Sequence, residues 1–86
     1  MTSETVQALE RIQRQIARLR ELQSRIRELR AAGQISPDEY TFSMARAERA
    51  IANSASYYAL LLTEHRIRAA AIARAITQAT VQLSLF

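Results

Sequence analysis

Cysteine is absent from the 86 residues, so neither a disulfide nor a thiolate metal site can staple the fold. Lysine is absent as well, and all 12 basic side chains are arginine. Glycine and proline occur once each, as Gly33 and Pro37, which leaves few places for a helix to break. No run approaches the roughly 18 apolar residues that span a bilayer, so no membrane-crossing helix is expected. The first ten residues, MTSETVQALE, lack the basic-then-apolar pattern of a secretory signal. With no cysteine, that fits a cytoplasmic protein. There is no glycine-rich phosphate loop, and His65 is the single histidine. The net charge of +4 is mild; it permits a polyanionic partner without requiring one.

What is present favours helix. Ala, Arg, Leu, Glu, Gln and Ile dominate, and most of these are strong helix formers. A chain this short makes one domain with a limited core, so long regular helices and self-association are its remaining routes to stability. The clearest punctuation is RAAGQISPDEY, residues 30–40. Gly33 suits the left-handed position just past a helix end. Ser36 suits an N-cap, Pro37 the first helical position, and Asp38 and Glu39 the positive end of the helix dipole. Glu39 stands three residues after Ser36, as in a capping box, and Ile35 and Tyr40 stand as a hydrophobic staple.

Upstream, Thr2 or Ser3 can cap a helix running to about residue 32. Its apolar stripe is Leu9, Ile12, Ile16, Leu19, Leu22, Ile26 and Leu29, a helical spacing with one slip in the heptad. Downstream, Tyr40, Met44, Ala47, Ile51, Ala55, Tyr58 and Leu62 trace a second stripe. It continues through His65, Ala69, Ile72, Ile76, Ala79 and Leu83. The expected fold is therefore all-α: an antiparallel helical hairpin of about residues 3–32 and 37–80, with a longer second helix. Residues 1–80 form its single domain, and 81–86 form a C-terminal tail. Pairing across the turn sets residue 4 beside about residue 65. Residues 66 to 83 then lack a partner inside the hairpin although they carry an apolar stripe, which points to a homo-oligomer. The alternative is a three-helix bundle with a break near residue 63, where Thr63 and Glu64 could cap a fold-back. The small residues of ANSASYYA, 52–59, are expected at a tight helix crossing covered by Tyr57 or Tyr58.

Candidate chemistry is sparse. His65 falls on the apolar stripe without catalytic partners, and reads as a packed or interface residue. Glu10 with Arg14, Glu21 with Arg25, and Glu64 with Arg68 are i,i+4 pairs of a solvated helix surface. No catalytic residue, metal site or cofactor is assigned, and an enzyme is not expected. Residues 1–32 hold seven arginines against four glutamates, so the cationic excess sits on the first helix. Arg11, Arg14, Arg18 and Arg25 are the candidates for nucleic-acid contact along phosphates. No aromatic residues interleave them for base stacking.

Two resemblances follow. The stretch RIRELRAAGQISPDEYTFSMARAERAI is similar to the short helix–G-x-I-S/T-x-E-E–helix hairpins of bacterial proteins such as those called SHOCT. The matching residues are those a tight turn needs. The last five residues, Gln82, Leu83, Ser84, Leu85 and Phe86, resemble the pentapeptide by which bacterial replication and repair proteins dock on the sliding clamp, the processivity ring of DNA polymerase III. The pattern is Gln, aliphatic, Ser or Asp, Leu, Phe, and all five positions match. The resemblance implies that Leu85 and Phe86 share a deep apolar pocket, Leu83 enters a neighbouring subsite, Gln82 anchors by its amide, and Ser84 lets the chain bend. It implies a clamp-binding replication or repair adaptor, or a phage-type inhibitor of replication, encoded by a bacterium, phage or plasmid. The alternatives are a structural helical oligomer and a small arginine-rich nucleic-acid-binding protein.

Overall fold

Helix α1 spans Ser3–Ala31 and starts at Thr2, whose extended backbone and side chain act as the N-cap. The Thr2 Oγ1 accepts from the Thr5 amide at 3.2 Å. Of the two capping candidates, Thr2 therefore takes the role. The computed structural model describes residues 2–84, with side chains through Gln82. Among these residues the chain forms two helices and no strand, α1 and then α2, Pro37–Ser84.

The turn between them closes as its residues require. Gly33 has φ of 73°, the only positive φ described. The Gln34 amide donates to the Leu29 carbonyl at 2.9 Å and the Gly33 amide to Arg30 at 3.1 Å. This is the Schellman arrangement, which satisfies carbonyls that the helix end would leave open. Arg30 Nη1 reaches across to the Ile35 carbonyl at 3.4 Å. Ser36 Oγ accepts from the Glu39 amide at 3.1 Å, so the hydroxyl half of the capping box forms. A Cβ at residue 33 would meet no atom within 4 Å. Replacing Gly33 by alanine therefore costs only the left-handed backbone, about 1–2 kcal/mol. Gly33→Asn is expected to cost less, because asparagine tolerates that region. Urea unfolding of the two variants checks this: a larger loss for asparagine would mean that space, not φ, is the constraint.

The helices pack as an antiparallel hairpin, and the packing shifts one expected seam position. Leu9, Ile12 and Ile26 are buried, and Ile16 and Leu19 are half-buried. Leu22, expected on the stripe, is 48% exposed, and Gln23 is buried at 6%. Replacing Leu22 by Gln23 gives 9, 12, 16, 19, 23, 26, an unbroken 3,4 alternation. A shared seam between two packed helices follows that repeat, so geometry overrides the hydrophobicity of Leu22. Gln23 Nε2 donates to Glu48 Oε2 at 2.9 Å, and Gln13 Nε2 donates to Tyr58 Oη at 3.2 Å. Residues 23 and 48, like 13 and 58, have numbers adding to 71, which fixes the pairing register along the hairpin.

On α2 the most buried residue is Ala47, at 4%. Small half-buried neighbours, Ser43, Ala50 and Ser54, line the same face. The close crossing is thus centred near Ala47 and not on residues 52–56, of which only Ser54 turns inward; Ala55 is exposed. Tyr58 is the tyrosine that faces α1, and Tyr57 is 55% exposed.

α2 has 48 residues against 29 in α1. At 1.5 Å per residue the longer helix is about 72 Å, and the molecule measures 78 × 20 × 13 Å. The helix passes residue 63 without a break, so the three-helix alternative is not the fold. It also continues through Thr80 and Val81 to Ser84, beyond the expected end near residue 80. Every described side chain from Arg66 to Gln82 is exposed.

Candidate docking sites at the free end of the hairpin

The free end is built by a length mismatch. The register set by Gln13–Tyr58 and Gln23–Glu48 brings the start of α1 level with residues near 69 of α2. Among the described residues, α2 has no intramolecular neighbour beyond that level. Thr2 and Thr5 on α1, with Leu61, His65, Ala69 and Ile72 on α2, border an open groove of about 560 Å³ where α1 stops. Glu64 and Arg68 also line it, and most of its exposed surface is apolar. His65 is half-buried at its edge, which agrees with a packed or interface position on the stripe. Ile72 and Ile76 are each 62% exposed on the side leading out of the groove.

The first three of the five tail residues, Gln82, Leu83 and Ser84, form the end of this overhang. Gln82 is exposed on the last turn of α2, and Leu83 and Ser84 belong to the helix. Leu85 and Phe86, assigned to the deep clamp pocket by the resemblance, lie outside the described residues. Thr77 and Thr80 donate their hydroxyls to the carbonyls of Ala73 and Ile76, both at 2.9 Å. Such back-bonding slightly loosens a helix.

The four arginines proposed for phosphate contact share one face. At about 100° per residue, Arg11, Arg14, Arg18 and Arg25 fall within roughly 60° of one another, on the side of α1 away from the seam. All four are exposed. Glu21 and Glu28 lie on the adjoining strip and are also exposed, so the stripe carries a partly offset charge. Glu10, Arg14, Glu21, Arg25, Glu64 and Arg68 all remain at the surface. Among the described residues no cluster of three or more metal-ligating side chains occurs, and no helix is long and apolar enough to cross a membrane.

The buried Gln23 and its bond to the exposed Glu48 give no signal in the sequence, because a glutamine beside a leucine carries no hydrophobic pattern. The heptad slip at Leu22 was the available clue. No protein-family model, curated protein or solved structure matches the chain. The hairpin resemblance accordingly stays at the level of the turn residues.

Proposed function

We propose that this chain is a non-enzymatic docking protein that binds the bacterial sliding clamp through Gln82, Leu83, Ser84, Leu85 and Phe86. It would serve as a replication or repair adaptor, or as a phage-type inhibitor that occupies the clamp pocket. The observation that carries the reading is the five-for-five match of these residues to the clamp-binding pattern. The position of its first residue supports the reading, because Gln82 stands on the last turn of a helix whose side chains from Arg66 to Gln82 are all exposed. A tail mounted there can reach a pocket without unfolding the hairpin.

Docking in an extended form requires the last turn of α2 to unwind from Gln82 onward. That cost is small, because a helix end lacks internal partners for its last carbonyls and the β-branched Thr80 and Val81 lower helix propensity. A short peptide gains affinity from a few deeply buried side chains. Leu85→Ala combined with Phe86→Ala is therefore expected to weaken clamp binding at least about 100-fold, read by calorimetric titration of purified clamp. Unchanged binding by the double variant rejects the proposal.

The exposed apolar overhang favours a second reading, a structural helical oligomer in which the tail is part of the assembly. Deleting residues 82–86 separates the two. Loss of clamp binding with unchanged oligomer size and thermal midpoint supports docking; collapse of both size and midpoint supports assembly.

A further inference from the structure

Helix α1 carries a row of arginines and no aromatic residue, but the fold brings two aromatic side chains of α2 to the same side. Leu22 and Ile26 of α1 line an open groove of about 470 Å³ together with Phe42 and Arg46 of α2, so all four border one broad side of the hairpin. At about 100° per residue, Arg11, Arg18 and Arg25 stand about 20°, 40° and 60° from Leu22 around α1, which turns them toward that side. On α2, Tyr57 stands about 20° from Arg46. Phe42 is 68% exposed and Tyr57 55%, and the four arginines are exposed as well. The register fixed by Gln13–Tyr58 and Gln23–Glu48 sets Arg25 level with Arg46, and Tyr57 level with a point between Arg11 and Arg18.

We infer that this side of the hairpin binds single-stranded nucleic acid, with phosphates along Arg11, Arg18, Arg25 and Arg46 and bases against Phe42 and Tyr57. The inference does not depend on clamp docking. The three arginines of α1 are seven residues apart, about 10 Å, so a sugar–phosphate backbone can follow the row. Guanidinium groups hold phosphate through paired N–H donors. Phe42 lies beyond the Arg25 level, toward the turn, and Tyr57 lies toward the other end. Each presents a ring on which any base can stack.

Charge complementarity selects this occupant over a second copy of the chain. Between the levels of Arg11 and Arg25 the acids point elsewhere. Glu21 is about 100° from Leu22, on the outer edge of α1, and Glu48 is about 160° from Arg46, on the opposite side of the hairpin. Glu4, Glu39 and Glu64 share the arginine side but lie beyond the two ends of the row. Two copies laid face to face over the row would set arginine against arginine. A duplex keeps its base faces stacked inside and would leave the two rings without a partner.

Fluorescence anisotropy of a labelled oligothymidylate of about 16 nucleotides, titrated with the full chain, tests the inference. Binding is expected at about 50 mM salt, falling with a log–log salt slope of about −3 for four phosphate contacts to a single strand. Arg18→Ala should weaken binding and reduce the magnitude of that slope by about 0.7. Phe42→Ala and Tyr57→Ala should each weaken binding by roughly 5-fold or more and leave the slope unchanged. All three side chains are exposed, so circular dichroism should show the helix content of each variant retained. Deleting residues 82–86 should leave strand binding intact, which separates this site from the tail; loss of strand binding on that deletion overturns the inference. So does the absence of binding at about 50 mM salt, or a duplex of the same length bound as tightly as the single strand. Aromatic variants that bind like the wild type overturn it too, because charge alone would then hold the strand. A wild-type dimer that Phe42→Ala dissociates, with no strand bound, would assign the face to a second copy instead.

Discussion

Ile12→Ala and Ile26→Ala are each expected to lower the unfolding free energy by about 2–5 kcal/mol, whereas Leu22→Ala should cost well under 1 kcal/mol. Both isoleucines are 7% exposed and sit on the single seam between α1 and α2. A hairpin has one seam and no third layer, so the space left by a missing side chain can be filled only by moving the facing helix. Among the described residues only Leu9, Ile12, Ile26 and Ala47 are buried apolar side chains. Net stability for a domain this small is on the order of 5 kcal/mol, so one such truncation removes much of it. Leu22 is half in water already and has little transfer energy to lose. Urea titrations followed by far-ultraviolet circular dichroism, at one fixed protein concentration because association adds stability by mass action, give the comparison. Equal losses for Leu22→Ala and Ile26→Ala would mean that the seam runs through Leu22.

That contrast shows where the sequence speaks clearly. The turn was legible residue by residue because each capping rule acts over three or four positions, and Gly33, Ser36, Pro37 and Glu39 satisfy them independently of the rest of the chain. Helix type and the hairpin followed from composition and the short connection. The choice between Leu22 and Gln23 was not legible in the same way. A local hydrophobic pattern favours leucine, but the 3,4 repeat of a packed seam favours position 23, and tertiary geometry decided. The close crossing was misplaced for a related reason. Small residues occur at 43, 47, 50 and 54 as well as at 52–56, and only the facing helix reveals which set is covered. The continuity of α2 turned on the absence of any breaker near residue 63, an absence that propensity weighs only weakly.

The free end was legible as arithmetic and not as chemistry. A turn at residues 32–36 and a chain of 86 leave the second helix longer than the first. The stripe beyond residue 65 then has to face something other than α1. The tail motif rests on the identity of five residues, and no helical periodicity accounts for Leu85. The arginine stripe was visible in sequence as a charge excess, while its placement on one outer face follows from the seam, which had first to be located.

Glu48→Ala is expected to cost about 1–3 kcal/mol although Glu48 itself is exposed, because the substitution removes the acceptor of a buried amide. Gln23→Leu should act in the opposite sense. It replaces a buried polar group, at 6% exposure, by an apolar one at a seam position between Leu19 and Ile26. Glu48 loses its partner in that variant but keeps contact with water, so no charge is stranded. The Gln23→Leu hairpin should therefore be more stable by up to about 1 kcal/mol, and less specific. A single polar residue at an a-type position fixes which layers pair, since only one register brings Gln23 to Glu48. With leucine there, α1 seams of separate copies can also pair with each other, and larger assemblies should appear alongside the wild-type species. Urea midpoints combined with sedimentation profiles separate the two effects, and a double-mutant cycle of Gln23→Leu with Glu48→Ala isolates the pair, with a coupling of at least about 0.5 kcal/mol expected. A neutral Glu48→Ala would show that the 2.9 Å bond carries no stability. A Gln23→Leu protein with the wild-type distribution of species would show that register is held elsewhere, by Ala47 and the turn.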